Sequence, residues 1–333
     1  MAAPGAGASG EDSLIAHYFK PLATDPGAFS LTDDAAILKA LGENIVVTTD
    51  AIVEGVHFLP NDSADTVARK ALRVNLSDLA AKGATPAGFV LTLALRAVDE
   101  TWLTAFARGL GEDAVAFNCP LLGGDTVSTP GPLMVSITAF GRVPGNKMIH
   151  RSGAKPGDHV VVTGTIGDAA LGLDVLRKGR AATALAADAA ARQALIARYR
   201  LPEPRNAIAL AVRVHAHAAM DVSDGLAGDL TKLCAASGVS AVIDLPAIPL
   251  SKAASAALAA GAIGMAEIVS GGDDYELLCA IPADALEPFV EAARESGVAA
   301  SPIGTILAGS AAPKFLDAEG KELVLTRRSF SHF

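Results

Sequence analysis

A chain of 333 residues with 51% hydrophobic content is long enough to fill two cores, and no stretch approaches ~18 apolar residues without a charge or a turn, which argues against a membrane span. A net charge of -9, with no run of Lys or Arg, excludes a broad nucleic-acid surface, because that footprint is a basic patch. Cys119, Cys234 and Cys279 are widely spaced and form no C-x-x-C pair, so neither a disulfide framework nor a zinc knuckle is indicated and a reducing cytoplasm is expected.

Residues 1–10, MAAPGAGASG, lack the basic start and apolar stretch of a secretory signal and read as a disordered tail. An N-terminal α/β domain is expected over 11–145. Within it the apolar runs ENIVVTT, AGFVLTLAL and LMVSITAFG alternate with stretches of helical period, DTVARKALRVNLSDLAAK and ETWLTAFARGLGEDAVAF. The segment VPGNKMIHRSGAKPGD is rich in Pro and Gly and has no apolar periodicity, which marks a connector. A second α/β domain is expected over 146–333, with strands HVVVTG, AAMDVS, SAVIDL, ELLCAI and ASPIGTI separated by helices such as GDAALGLDVLRK. The alanine content of Ala181 to Ala197 predicts helix there.

Several short segments place aspartate beside Gly, Ser or Thr at the end of an apolar run. They are LTDDAA (Asp33, Asp34), VTTDAIVEGVHF (Thr48, Thr49, Asp50, His57), LLGGDT (Gly124, Asp125), MDVSDGL (Asp221, Ser223, Asp224) and SGGDDYEL (Asp273, Asp274, Glu276), with Asp78 in VNLSDLAAKG as a further carboxylate. Taken singly, each is also an ordinary turn or helix cap. Together they predict chemistry presented on loops at strand ends. Adjacent carboxylates at Asp33/Asp34 and Asp273/Asp274 repel unless solvated, protonated or bridged by cations, and oxygen donors without Cys favour Mg²⁺ over zinc or copper. In GTIGDAALG, a glycine-rich turn between strand and helix either faces phosphate with its N–H groups or simply shapes the turn. There is no G-x-x-x-x-G-K-[ST] sequence and no H-R-D or D-F-G set, so an ATP site here is of another type.

In their order, the segments TTDAIVEGVHFLP, ALRVNLSDLAAKGATP, LLGGDT, HRSGAKPGDHVVVTGTIGDAALGL, DVSDGLAGDL and SGGDDYEL resemble the thiamine-monophosphate kinases, a family of the aminoimidazole ribonucleotide synthetase superfamily. The resemblance implies two mixed α/β domains of that superfamily's type, N-terminal sheets pairing across a homodimer, and an ATP-dependent phosphotransferase acting on thiamine monophosphate. It also implies that Asp34, Thr48, Thr49, Asp50, Asp78, Asp125, Asp221 and Asp224 hold several Mg²⁺ ions, and that Gly124, Asp125, Arg151 and Ser223 contact ATP. His57 and Asp273 are then expected at the thiamine phosphate. Two positions depart from the family pattern. Ser30, Leu31 and Thr32 stand where glycines are usual, and Arg327 stands where an aromatic residue usually stacks on substrate, with Phe330 as the alternative.

Overall fold

In strand β4 (Met134–Val143) buried and half-buried residues alternate strictly, with Val135, Ile137, Ala139 and Val143 inward, the period-2 signature of a strand covered on one face. This strand is the second in a four-stranded sheet of order β1-β4-β2-β3. It runs antiparallel to β1 (Asn44–Val53) and β2 (Thr85–Leu95), while β2 runs parallel to β3 (Leu121–Ser128). The structure, a computed structural model, describes residues 14–31 and 38–325. The expected tail at 1–10, Asp33, Asp34, Arg327 and Phe330 lie outside those residues.

Two helices accompany this sheet, Ala64–Ala81 and Glu100–Ala116. Their inward stripes, with Leu72, Leu76 and Leu79 on one and Leu103, Phe106 and Leu110 on the other, are fully buried. The carboxylate of Asp113 on the second helix is buried and accepts from Arg69 (2.9 Å) and Arg73 (2.5 Å) on the first, so its charge is paired on both sides. Asp99 starts the second helix by accepting from the N–H groups of Thr101 and Trp102.

The chain divides into two compact units, Met1–Leu79 with Thr85–Asn146, and Ala80–Ala84 with Lys147–Phe333. The second unit holds a six-stranded sheet of order β10-β7-β9-β5-β8-β6, formed by β5 (His159–Thr163), β6 (Ala218–Asp221), β7 (Val239–Asp244), β8 (Leu277–Ile281), β9 (Ala300–Ala308) and β10 (Lys314–Leu316). Only the β10–β7 pair is parallel. Every residue of β8 is buried, because the sheet is covered on both faces. Val160, Val162, Met220 and Leu278 share one core with the helices Asp168–Leu176 and Leu226–Ser237. Val161, Leu277, Cys279 and Ile281 share the other with Phe289 and Ala293 of the helix Leu286–Glu295.

The alanine-rich stretch is not one helix. It forms Arg180–Ala184 and Ala189–Arg200, broken where Asp188 accepts from the N–H of Ala191 and caps the second piece. Among the described residues no helix is long and apolar enough to cross a membrane. All three cysteines are free and buried; burial pushes the thiols of Cys119 and Cys279 up to about 12 and that of Cys234 up to about 11, which leaves them unreactive.

Candidate functional site

Among the described residues, the motif aspartates of the first unit do not lie on loops. Thr48, Thr49 and Asp50 lie within β1, Gly124 and Asp125 within β3, and Asp78 on the helix Ala64–Ala81. Strand alternation sorts them. Asp50 pairs with Ile137 and Thr48 with Ala139, both buried, so these two side chains share the covered face. There the Thr48 hydroxyl donates to Asp78 Oδ2 at 2.5 Å. Asp50 keeps access to solvent, but the protein around its carboxyl, and secondarily the negative charge of Asp78, push its pKa up to about 6.

Thr49 faces the other way. Its hydroxyl donates to the Ile137 carbonyl (3.2 Å) and meets that of Thr138 (3.0 Å), so it is not among the oxygens gathered at Asp78. Asp125 pairs with Thr92 and Gly124 with Leu91, a register that sets Asp125 on the face opposite Leu91. A Cβ at Gly124 would lie 2.1 Å from the Leu91 carbonyl oxygen, so the approach of β3 to β2 by itself requires glycine there.

His57 sits in the turn after β1. Its Nδ1 accepts the N–H of Val53 at 3.0 Å, so the neutral ring carries its proton on Nε2. The ammonium of Lys70, 2% exposed, donates to the His57 carbonyl at 2.9 Å and holds the turn.

In the second unit the motifs do occupy strand ends. Asp221 closes β6, and Ser223 and Asp224 precede the helix Leu226–Ser237. The segment 273–276 runs beside them. Asp273 N–H donates to Ser223 O, Tyr275 N–H to Val222 O, and Val222 N–H to Glu276 O. The two loops approach so closely that a Cβ at Gly272 would lie 2.6 Å from Ser223 O. Arg151 is exposed, and its carbonyl accepts from Ser237 Oγ at 3.5 Å.

The backbone turns the adjacent carboxylates Asp273 and Asp274 apart. Asp273 has φ 71, a left-handed conformation, and the chain turns Asp274 inward. There Asp274 accepts the N–H groups of Gly167 (2.7 Å) and Ala169 (3.3 Å) at the start of the helix Asp168–Leu176, and complete burial raises its pKa well above the usual carboxylate range. The first of these bonds occupies the Gly167 amide of the GTIGD turn. Gly164 N–H and Ile166 N–H likewise bond to Ala299 O and Pro249 O, so the turn is shaped by the protein and does not face phosphate with these groups.

Two residues unremarked in the sequence, Asp229 and Lys232, complete this half together with Glu276 of the SGGDDYEL motif. Asp229, fully buried, accepts the N–H of Ser223 (3.0 Å) and of Asp224 (2.9 Å) on one oxygen, and Lys232 bridges Asp229 (2.8 Å) and Asp224 (2.5 Å). Glu276, also fully buried, is held by Thr163, Arg198 and Arg205. The i,i+3 spacing of Asp229 and Lys232 is visible in DVSDGLAGDLTKL, but it reads equally as a surface ion pair.

Among the described residues no three His, Cys, Asp or Glu side chains converge closely enough to hold a metal ion. What the first unit does gather fits Mg²⁺ by donor type: Asp50, Asp78 and the Thr48 hydroxyl are all oxygens, and the two carboxylates are close enough for one to raise the other's pKa.

The models of the AIR synthase related protein N-terminal and C-terminal domains match residues 32–143 and 155–312, so both halves are of the AIR synthase related class. Thiamine-monophosphate kinase of Caulobacter vibrioides (strain CB 15) is 44% identical, over 99% of this chain and 93% of its own. The crystal structure of thiamine-monophosphate kinase from Stenotrophomonas maltophilia K279a is 37% identical, with TM-score 0.77, covering 88% of this chain and 91% of its own. A solved AaThiL complexed with AMPPCP and TMP is 28% identical, with TM-score 0.75, covering 90% and 91%. The chain belongs to the thiamine-monophosphate kinase family.

Proposed function

We propose that the chain transfers the γ-phosphoryl group of ATP to thiamine monophosphate, giving thiamine diphosphate and ADP, with Mg²⁺ bound at its acidic motifs. The observation that carries this reading is the placement of Asp50 beside Asp78, whose carboxylate also takes the Thr48 hydroxyl, a like-charge pair open to solvent in a chain whose relatives carry that name. A relative complexed with AMPPCP, a methylene analogue of ATP, and TMP supports the same pair of ligands.

The acceptor is a phosphate monoester with a second pKa near ~6, so its oxygen is largely deprotonated at neutral pH and no strong general base is needed. That oxygen attacks the γ-phosphorus in line, the bond from γ-phosphorus to the β,γ-bridging oxygen breaks, and ADP leaves with the electron pair. The obstacle is the approach of two anions. Bound Mg²⁺ would offset that repulsion and orient the phosphates, held in the first unit by Thr48, Asp50 and Asp78, joined in this reading by Asp34 and Asp125, and in the second unit by Asp221 and Asp224; the Thr49 hydroxyl, turned to Ile137 and Thr138, is not one of the holders. Arg151 would add a planar fork of N–H donors for phosphate, and Gly124 and Ser223 a close backbone approach.

His57 supports direct transfer. With Nδ1 taken by the Val53 N–H, the neutral ring presents an N–H at Nε2, suited to donate to a phosphate oxygen and not to attack phosphorus. Asp273 and Arg327 complete the expected substrate side, Asp273 by facing the cationic ring and Arg327 by stacking its guanidinium on it. The face of β1 bearing Val47, Thr49 and Ala51 is exposed, and pairing of this face with a second copy would give the homodimer that the family resemblance implies. A cytoplasmic setting completes the reading.

The test is ADP formation by purified protein with Mg²⁺-ATP and thiamine monophosphate, beside thiamine and a no-acceptor control, with the product identified by mass. Turnover with the monophosphate alone is expected. ATP binding without turnover on the monophosphate would overturn the reading in favour of another acceptor or a ligand sensor. Stable label on the protein from γ-labelled ATP, formed at a competent rate, would refute direct transfer.

A further inference from the structure

The helix Leu226–Ser237 begins just after the Ser223–Asp224 loop, and its first two turns carry both Asp229 and Lys232. Asp229 is inside the protein and spends one oxygen on two backbone N–H groups of that loop. Its other oxygen takes the Lys232 ammonium, which also reaches Asp224 Oδ2. One ammonium therefore serves two carboxylates, one buried and one at the surface, with the side chains of Lys232 and Asp224 exposed by 37% and 34%. Lys232 is anchored on the buried side, since its departure would leave Asp229 without a counter-charge. Asp224 is held only at its carboxylate end and by its backbone N–H.

We propose that Lys232 is a placeholder cation: it offsets the charge of Asp224 and keeps a divalent ion from settling in the second unit's half-site until nucleotide phosphates arrive. This rests on the reading of the chain as a Mg²⁺- and ATP-dependent kinase. The physical reason is simple electrostatics. A divalent ion drawn to Asp224 alone meets an ammonium already on the same carboxylate, and like charges a few ångströms apart repel even where water screens them. Phosphate oxygens add the negative charge and the donors that tip the balance, in keeping with the tendency of Mg²⁺ to bind through one or two carboxylates plus substrate phosphates. The lack of any three-carboxylate cluster among the described residues fits a half-site that is completed by its ligand. Lys232 is thus a positioning residue: it acts through Asp224 and Asp229.

Mn²⁺ binding, followed by the loss of the free-ion electron paramagnetic resonance signal, tests this with and without AMPPCP. Wild-type protein is compared with Lys232→Met, Lys232→Arg and the double variant Lys232→Met/Asp224→Asn, with Lys232→Gln as a second charge-removing variant and melting curves to verify folding. Without nucleotide, Lys232→Met and Lys232→Gln should each gain a Mn²⁺ site binding on the order of tenfold tighter than any in wild type at this half, and Asp224→Asn should remove it. Lys232→Arg should behave as wild type, and AMPPCP should bring wild type and Lys232→Met within about threefold of one another. Equal nucleotide-free Mn²⁺ binding by wild type and both charge-removing variants would overturn the placeholder role and leave the kinase reading standing. Wild-type protein that takes up no Mn²⁺ even with AMPPCP, and forms no ADP, would remove both.

Discussion

Removing the Glu276 carboxylate should destabilise the second unit more than any surface change. Its oxygens accept from Thr163 Oγ1 (2.7 Å), Arg198 Nη2 (2.7 Å), Arg205 Nε (2.7 Å) and Arg205 Nη2 (2.5 Å), and the residue is fully buried while the two arginine side chains are only 14% and 16% exposed. Glu276→Ala leaves two largely buried guanidinium groups facing each other, with the exposed Glu203 as their remaining acidic partner. Breaking a buried pair from one side costs about 3–5 kcal/mol. At about 2–4 °C per kcal/mol for a unit of this size, melting falls by roughly 6–20 °C. Glu276→Gln keeps the shape and the acceptor oxygen but not the charge, and should cost about 1.5–3 kcal/mol. Differential scanning calorimetry gives the magnitude, and hydrogen exchange of the β5 and β8 amides locates it. A loss below about 1 kcal/mol for the alanine variant, or a glutamine variant as stable as wild type, would refute the assignment of the carboxylate charge as the organising element.

Three further outcomes follow from the first unit. Asp50 has a folded pKa of about 6 against an ordinary 3.8, so in chelator its contribution to stability is full below about pH 4 and is lost as pH rises through about 6. Because Asp50 reaches solvent the loss is at most about 1 kcal/mol; Asp50→Asn should flatten this slope in urea titrations across pH 4 to 7 and abolish turnover at ordinary Mg²⁺. Thr48→Val, which removes the donor to Asp78, should lower kcat/KM by about tenfold or more, whereas Thr49→Val on the opposite face should change it by no more than about threefold; steady-state kinetics showing the reverse order would break the face assignment. Phe29, Ser30 and Leu31 all have φ near +50 (49, 54 and 53), a left-handed conformation that favours glycine, so Ser30→Gly should raise stability by about 0.5–1 kcal/mol, and a loss of stability on calorimetry would show that the turn is not strained.

Long amphipathic periods made the helices Ala64–Ala81 and Glu100–Ala116 legible to within a residue or two, and the Val-rich runs located β1, β2, β4 and β5. The strand β3 was not legible, because LLGGDT has the composition of a turn; an edge strand with one partner tolerates paired glycines, and the Leu91 carbonyl even requires one. The break at Asp188 was hidden by helix propensity, which says where helix is cheap and not where a side chain caps it. The site was legible as a set of motifs and not as directions. Nothing in TTD says that its second threonine turns from Asp78, since this depends on which face the helix covers, a tertiary choice.

The paired aspartates of SGGDDYEL show why acidic motifs mislead when counted. Asp274 and Glu276 have their charge met by the protein's own amides and guanidinium groups, and Asp229 by amides and an ammonium. Such carboxylates order loops. Asp50 is of another kind: burial raises the pKa of Asp50, Asp229 and Asp274 alike, but at Asp274 and Asp229 amides, an arginine or an ammonium act against the rise, whereas at Asp50 the charged neighbour, Asp78, adds to it. A frame acid satisfied from within has nothing to gain from Mg²⁺, while an acid beside a like charge gains from any cation that reaches it. The two kinds should therefore separate by experiment, frame variants changing melting with or without Mg²⁺, and Asp50 or Asp78 variants changing how strongly Mg²⁺ raises the melting temperature.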